Sequence, residues 1–202
     1  MEGAVFFWFF WAVWVYATFL LEKKNPYRLK LAFIVLTVII FSNHQFIFGR
    51  IEIAWSGLIL LLFSYYFLAN EKHQIIIYHS ICSLIISIAY ASFHLFEIFD
   101  PIWIIFKKEW MISICMWYLA ILLQKNLKNR LIVAVSGTMQ GEFLTAYILN
   151  KLQIPYAVGS FGYLDVCSLI AVLLISWSIL ENAGSFLQNY FPFLEKEKQK
   201  SS

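Results

Sequence analysis

Few residues in this chain have side chains that could do chemistry, and most of them sit inside apolar runs. Glu142 is the twelfth of twenty residues between Arg130 and Lys151. At about 1.5 Å per residue it stands roughly 18 Å along a helix of roughly 30 Å, near the middle of a bilayer core. A carboxyl group there is costly, so it must be paired, protonated or solvated. It could hold a proton, a cation or a neighbouring helix. His44 and Gln45 close the polar run Ser42-Asn43-His44-Gln45 near the far end of another apolar stretch. Such a run prefers a helix interface or a wet cavity to lipid. His94 and Glu97 lie three apart, which puts them on one helix face. His-x-x-Glu could ligate a metal, but no second motif completes a site, and interfacial polar side chains are the simpler reading.

Ala134, Thr138, Gly141 and Thr145 share one stripe of the Glu142 helix, with Glu142 at its edge. Small residues on one face let another helix approach closely, so these four are read as helix-packing positions. The simpler role for Glu142 is then a hydrogen-bonded tie between helices. No paired carboxylates, Ser/His arrangement or phosphate-binding glycine loop appears. No catalytic residue, metal or cofactor is therefore expected, and an enzyme acting on lipid is the weakest functional class.

These residues need elements to position them, and composition names the elements. Of 202 residues, 61% are hydrophobic and 13% charged, against about half and a quarter in soluble domains. The apolar residues form blocks too long for ordinary core helices. The expected fold class is all-α: a polytopic transmembrane helical bundle of about seven spans within residues 1–190. The spans read as 3–21, 29–48, 53–69, 75–96, 102–123, 131–150 and 163–180. Trp8, Trp11 and Trp14 recur every third residue in the first, as a packing and interfacial stripe. That span lacks the positive n-region of a signal peptide. The fifth is short unless Ile102 to Phe106 extend it. Asp165 opens the last helix, where a carboxylate complements the helix dipole. Cys82, Cys115 and Cys167 read as small core residues. Residues 191–202 read as a disordered cytoplasmic tail.

Seven spans place eleven Lys and Arg on one side: Lys23, Lys24, Arg28, Lys30, Lys72, Lys125, Lys128, Arg130, Lys196, Lys198 and Lys200. Arg50, Lys107, Lys108 and Lys151 fall on the other. By the positive-inside rule the N-terminus is outside and the C-terminus cytoplasmic. The expected environment is the lipid bilayer, with a membrane-protein partner or a second copy as partner class. Nucleic acid is not expected.

The opening Met-Glu-Gly-Ala-Val-Phe-Phe-Trp-Phe-Phe-Trp, the Glu22-Lys-Lys-Asn-Pro-Tyr-Arg28 turn and the overall length resemble the YphA-type family of small integral membrane proteins from Bacillus-like bacteria. The resemblance implies a bacterial cytoplasmic membrane and supplies no catalytic residues. The expected function is a structural or regulatory membrane subunit. The alternative is a small-solute or ion transporter built on Glu142, with His44 and His94 as partners.

Overall fold

The computed structural model describes residues 2–200 apart from Lys24, Pro26, Arg50, Asn70, Pro101, Trp103 and Ile104, with backbone alone for Tyr27 and residues 185–200. Parts of the charged-turn, fifth-span and tail expectations lie outside the described residues. The element order is α1 (Ala4–Val15, continued by a π turn Tyr16–Leu20), α2 (Tyr27–Phe41), β1 (Gln45–Phe48), β2 (Ile51–Ala54), α3 (Trp55–Ala69), α4 (His73–Phe99), α5 (Lys108–Leu123), α6 (Leu127–Lys151), β3 (Ala157–Val158) and α7 (Phe161–Lys200). The chain is predominantly helical. By length and composition three helices can cross a membrane: His73–Phe99, Leu127–Lys151 and Phe161–Gly184.

Helix α6 packs against α3, α4, α5 and α7, and its buried positions run from Arg130 to Leu149. Two glycines set its distance from α4. A Cβ on Gly137 would stand 2.7 Å from the Ile86 side chain and 2.9 Å from the Ser83 carbonyl oxygen. One on Gly141 would stand 2.8 Å from the Tyr90 ring and 3.0 Å from the Ser87 carbonyl oxygen. Only a residue without a side chain permits that approach. The hydroxyls on α6 do not need a partner helix, because Ser136, Thr138 and Thr145 donate to the carbonyls of Ile132, Ala134 and Gly141 one turn back.

The outward surface is apolar: Trp8 is 82% exposed, and Phe19, Leu62 and Ile179 are exposed as well. Water would not tolerate so continuous an apolar exterior, whereas lipid does. Trp8 and Trp11 of the tryptophan stripe belong to that exterior, while Trp14 is half-buried against the core. Phe6, Phe10 and Ala17 form the buried face of α1, and Trp11 meets Trp14 edge-on at 5.5 Å. The carbonyls left open in the π turn receive Arg28, whose Nε donates to Ala17 and Nη2 to Thr18.

Several sequence boundaries need correction. The second span does not reach residue 48: α2 stops at Phe41 and the Ser42 hydroxyl folds back onto the Ile39 carbonyl. Residues 45–54 then form a hairpin, with Gln45 opposite Ala54 and Phe48 opposite Ile51. Gly49 turns it with φ +68°, a value that favours glycine. Strand β2 also pairs in parallel with β3, so a small three-stranded sheet joins an otherwise helical molecule. Short apolar strands of this kind cannot be told from helix by hydropathy. The third span accordingly begins as helix only at Trp55.

Among the described residues Ile102, Ile105 and Phe106 do not extend the fifth helix, which starts at Lys108. The Lys108 ammonium reaches the Glu97 carboxylate at 3.0 Å and anchors that start beside the end of α4. Arg130 is buried rather than a loop charge. Its Nε donates to the Gln124 carbonyl, and its two Nη atoms bridge Glu181 at 2.8 and 3.1 Å. The backbone of α7 continues as helix through residues 191–200, where Glu195 to Lys200 are helix-forming types. Asp165 does cap a helix, but the helix is α1: its carboxylate accepts from the backbone N–H of Gly3 and Phe6 at 2.7 and 2.8 Å. Cys82 and Cys167 are buried as expected of core residues, whereas Cys115 is exposed on α5.

Candidate functional site

Glu142 is 2% exposed, and both of its carboxyl oxygens are engaged. The hydroxyls of Tyr90 and Tyr156 donate to Oε1 at 2.6 and 2.8 Å. The backbone N–H of Gly159 donates to Oε2 at 3.0 Å. One donor comes from α4, and two come from the connector between α6 and α7. Each is held in place by its own surroundings. Tyr90 is fully buried against Gly141. Gly159 has φ +71°, which turns its N–H toward the carboxyl and which an L side chain would resist. Burial, and then the neighbouring Glu142 carboxyl, push the Tyr156 phenol up from its ordinary value, so it stays a donor. A side chain met by three donors and no cation serves as an acceptor.

Glu142 forms the floor of a cavity of about 320 Å³ that opens where α4 ends and α5 and α7 begin. Tyr90, His94, Glu97, Lys108, Glu109 and Tyr156 also line it. His94 Nδ1 lies 3.2 Å from Glu97, and Lys108 pairs with the same carboxylate. The His94 ring sits between two tyrosines, with centroids 4.7 Å from Tyr90 and 6.1 Å from Tyr156.

The fold therefore brings Glu142, His94 and Glu97 to one cavity. It does not bring His44 and Gln45 there. His44 stacks near Phe41 and accepts the Trp55 N–H with its carbonyl, and Gln45 opens β1, with both side chains exposed. Of the four small residues, Ala134, Thr138, Gly141 and Thr145 are all buried. Gly141 faces α4, while Thr138 lies 3.8 Å from the Cys167 sulfur of α7. Sequence reasoning missed Tyr90, Tyr156 and Gly159. A tyrosine four residues before His94 was a usable signal, since that spacing shares a face; the two connector residues carried none. Among the described residues no group of three or more His, Cys, Asp or Glu is placed to hold a metal ion.

Residues 2–200 match the family model described as YphA-like integral membrane protein. The chain is similar to the YphA protein of Bacillus subtilis (strain 168), with 30% identity over 188 residues that cover 92% of either chain. No solved structure matches. A helical molecule with an apolar exterior, matched along almost its whole length, belongs to the YphA-like integral membrane protein family.

Proposed function

We propose that this protein is a seven-pass structural or regulatory subunit of the bacterial cytoplasmic membrane, in which Glu142 ties the α6–α7 connector and α4 to the central helix. The observation that carries the reading is the set of three donors fixed on one buried carboxyl group. A group that bound and released a transported solute would need its oxygens free in part of the cycle. Here they hold the architecture. Amide hydrogen exchange at Gly159 tests the tie. Exchange should be slow in the wild type and in Glu142→Gln, which keeps an acceptor, and at least about tenfold faster in Glu142→Leu. Fast exchange in the wild type would remove the basis of the reading.

The threading proposed is N-terminus outside and C-terminus cytoplasmic. The eleven-to-four charge division supports it, and so does the grouping of connectors. At one end Lys128 pairs with Glu71 at 2.9 Å and the Tyr78 hydroxyl donates to the Leu123 carbonyl. At the other, β2 pairs with β3, Asp165 holds Gly3, and Lys108 meets Glu97. Cysteines placed at Asn126 and at Ile154 should label from opposite faces of the membrane, with Asn126 reached only from the cytoplasm. Labelling of both from one face would rule out this threading.

A further inference from the structure

Helices α4 and α5 leave an apolar groove of about 570 Å³ between them, separate from the cavity at Glu142. Small side chains at Ala89, Ser92 and Cys115 leave the space, and the exposed Phe96, Phe106 and Ile114 stand around it. The groove therefore opens onto the same apolar exterior that faces lipid. Its length is also informative. Cys115 lies eight residues beyond Lys107, about 12 Å at helical rise, and one leaflet of a bilayer has about 15 Å of hydrocarbon. The groove thus runs to the depth of a single leaflet.

Charge at its end is divided unequally between two lysines. Glu97 holds the Lys108 ammonium at 3.0 Å, and the charges of Glu109 and Glu2 act on it as well. Lys107 stands between groove-lining Phe106 and the first residue of α5. It is exposed, and it has no ion pair among the described residues. Asp100, exposed at the end of α4, and Glu109 keep this end from being strongly basic, so it suits one negative charge better than several.

We propose that the groove holds one acyl chain of a membrane phospholipid, with the lipid phosphate set against Lys107. The chain replaces the contacts that an unfilled slot would forfeit, and the phosphate supplies the counter-charge that Lys107 lacks. A helix from a second copy would also cover the groove, but its apolar face would leave that lysine unpaired. The inference is independent of the tie at Glu142, and binding to purified protein does not depend on the threading.

The test takes the full chain in a mild detergent, adds dioleoylphosphatidylglycerol and counts retained lipid by native mass spectrometry. Dioleoylglycerol, which has the same chains and no phosphate, is the comparison. One phospholipid should stay on each wild-type chain, and dioleoylglycerol should bind at least about threefold more weakly. Cys115→Trp fills the groove from an exposed position and should weaken phospholipid binding at least about tenfold. Lys107→Gln should weaken it at least about threefold and leave dioleoylglycerol binding unchanged. The proposal is overturned if no phospholipid stays bound, or if either folded variant retains it as the wild type does. It is overturned too if Cys115→Trp displaces a second copy of the chain and no lipid. Lys107 lies outside the helices on the surface, so its glutamine variant reports on the phosphate even if Cys115→Trp folds poorly.

Discussion

Glu142→Leu should lower the unfolding free energy in a bilayer by about 3–5 kcal/mol. Leucine fills the space but accepts nothing, so three donors lose their partner together: the hydroxyls of Tyr90 and Tyr156 and the N–H of Gly159. A buried donor left unsatisfied costs about 1–3 kcal/mol. Hydrogen bonds between membrane helices are worth less on average, about 0.6 kcal/mol. The larger figure applies to the buried bonds from Tyr90 and Gly159, and the smaller to the partly buried bond from Tyr156. Glu142→Gln should cost about 1 kcal/mol, because the amide oxygen still accepts and a tyrosine oxygen can accept from the amide N–H. Unfolding measured by a steric trap in bicelles separates the two. Equal losses for Leu and Gln would show that volume, not hydrogen bonding, matters at this position.

The second large effect is expected at Gly137. Even the first carbon of a side chain there would meet Ile86 at 2.7 Å and the backbone oxygen of Ser83 at 2.9 Å. The oxygen belongs to α4 itself and cannot turn aside, so Gly137→Leu must push the two helices apart. Overpacking typically costs about 1–3 kcal/mol, and separation would also break the Tyr90–Glu142 bond, so a loss of about 3 kcal/mol or more is expected. Gly184→Ala is the control. Among the described residues nothing beyond its own helix lies within 4 Å of a Cβ placed there, so exchange for a better helix former should be neutral or stabilise by up to about 1 kcal/mol. Similar destabilisation at Gly137 and Gly184 would mean that close approach to α4 is not what the first glycine provides.

How much of this was legible in the sequence follows from which interactions are local. The placement of Glu142 inside a long apolar run, the shared face of His94 and Glu97, and the burial of Ala134, Thr138, Gly141 and Thr145 all follow from helical periodicity. The partners of Glu142 do not. Tyr90 is 52 residues away, and Tyr156 and Gly159 are 14 and 17 residues away across a turn, so only the fold brings them to the carboxyl. The hairpin at 45–54 failed for a different reason. Phe46 to Phe48 and Ile53 to Ala54 are as apolar as the helices on either side, and hydropathy carries no hydrogen-bonding direction. Of the tryptophans of α1, Trp14 packs against the core while Trp8 and Trp11 face outward, because a three-residue stripe defines a face without saying whether lipid or protein covers each turn of it. His44 and His94 looked equivalent as polar residues near span ends, yet α2 stops before His44 while α4 runs past His94.

The most direct test of the tie at Glu142 is a double-mutant cycle between Tyr156→Phe and Glu142→Leu, with unfolding free energies measured in the same bilayer. Tyr156→Phe alone should be destabilising, because it removes one donor from the carboxyl. On the Glu142→Leu background the same change removes an orphaned hydroxyl, and it should cost nothing or restore stability. The expected coupling is about 1–3 kcal/mol, the range for residues in one hydrogen-bond network. Additivity within about 0.5 kcal/mol, the behaviour of independent sites, would contradict Glu142 as the point that binds the connector to the central helix.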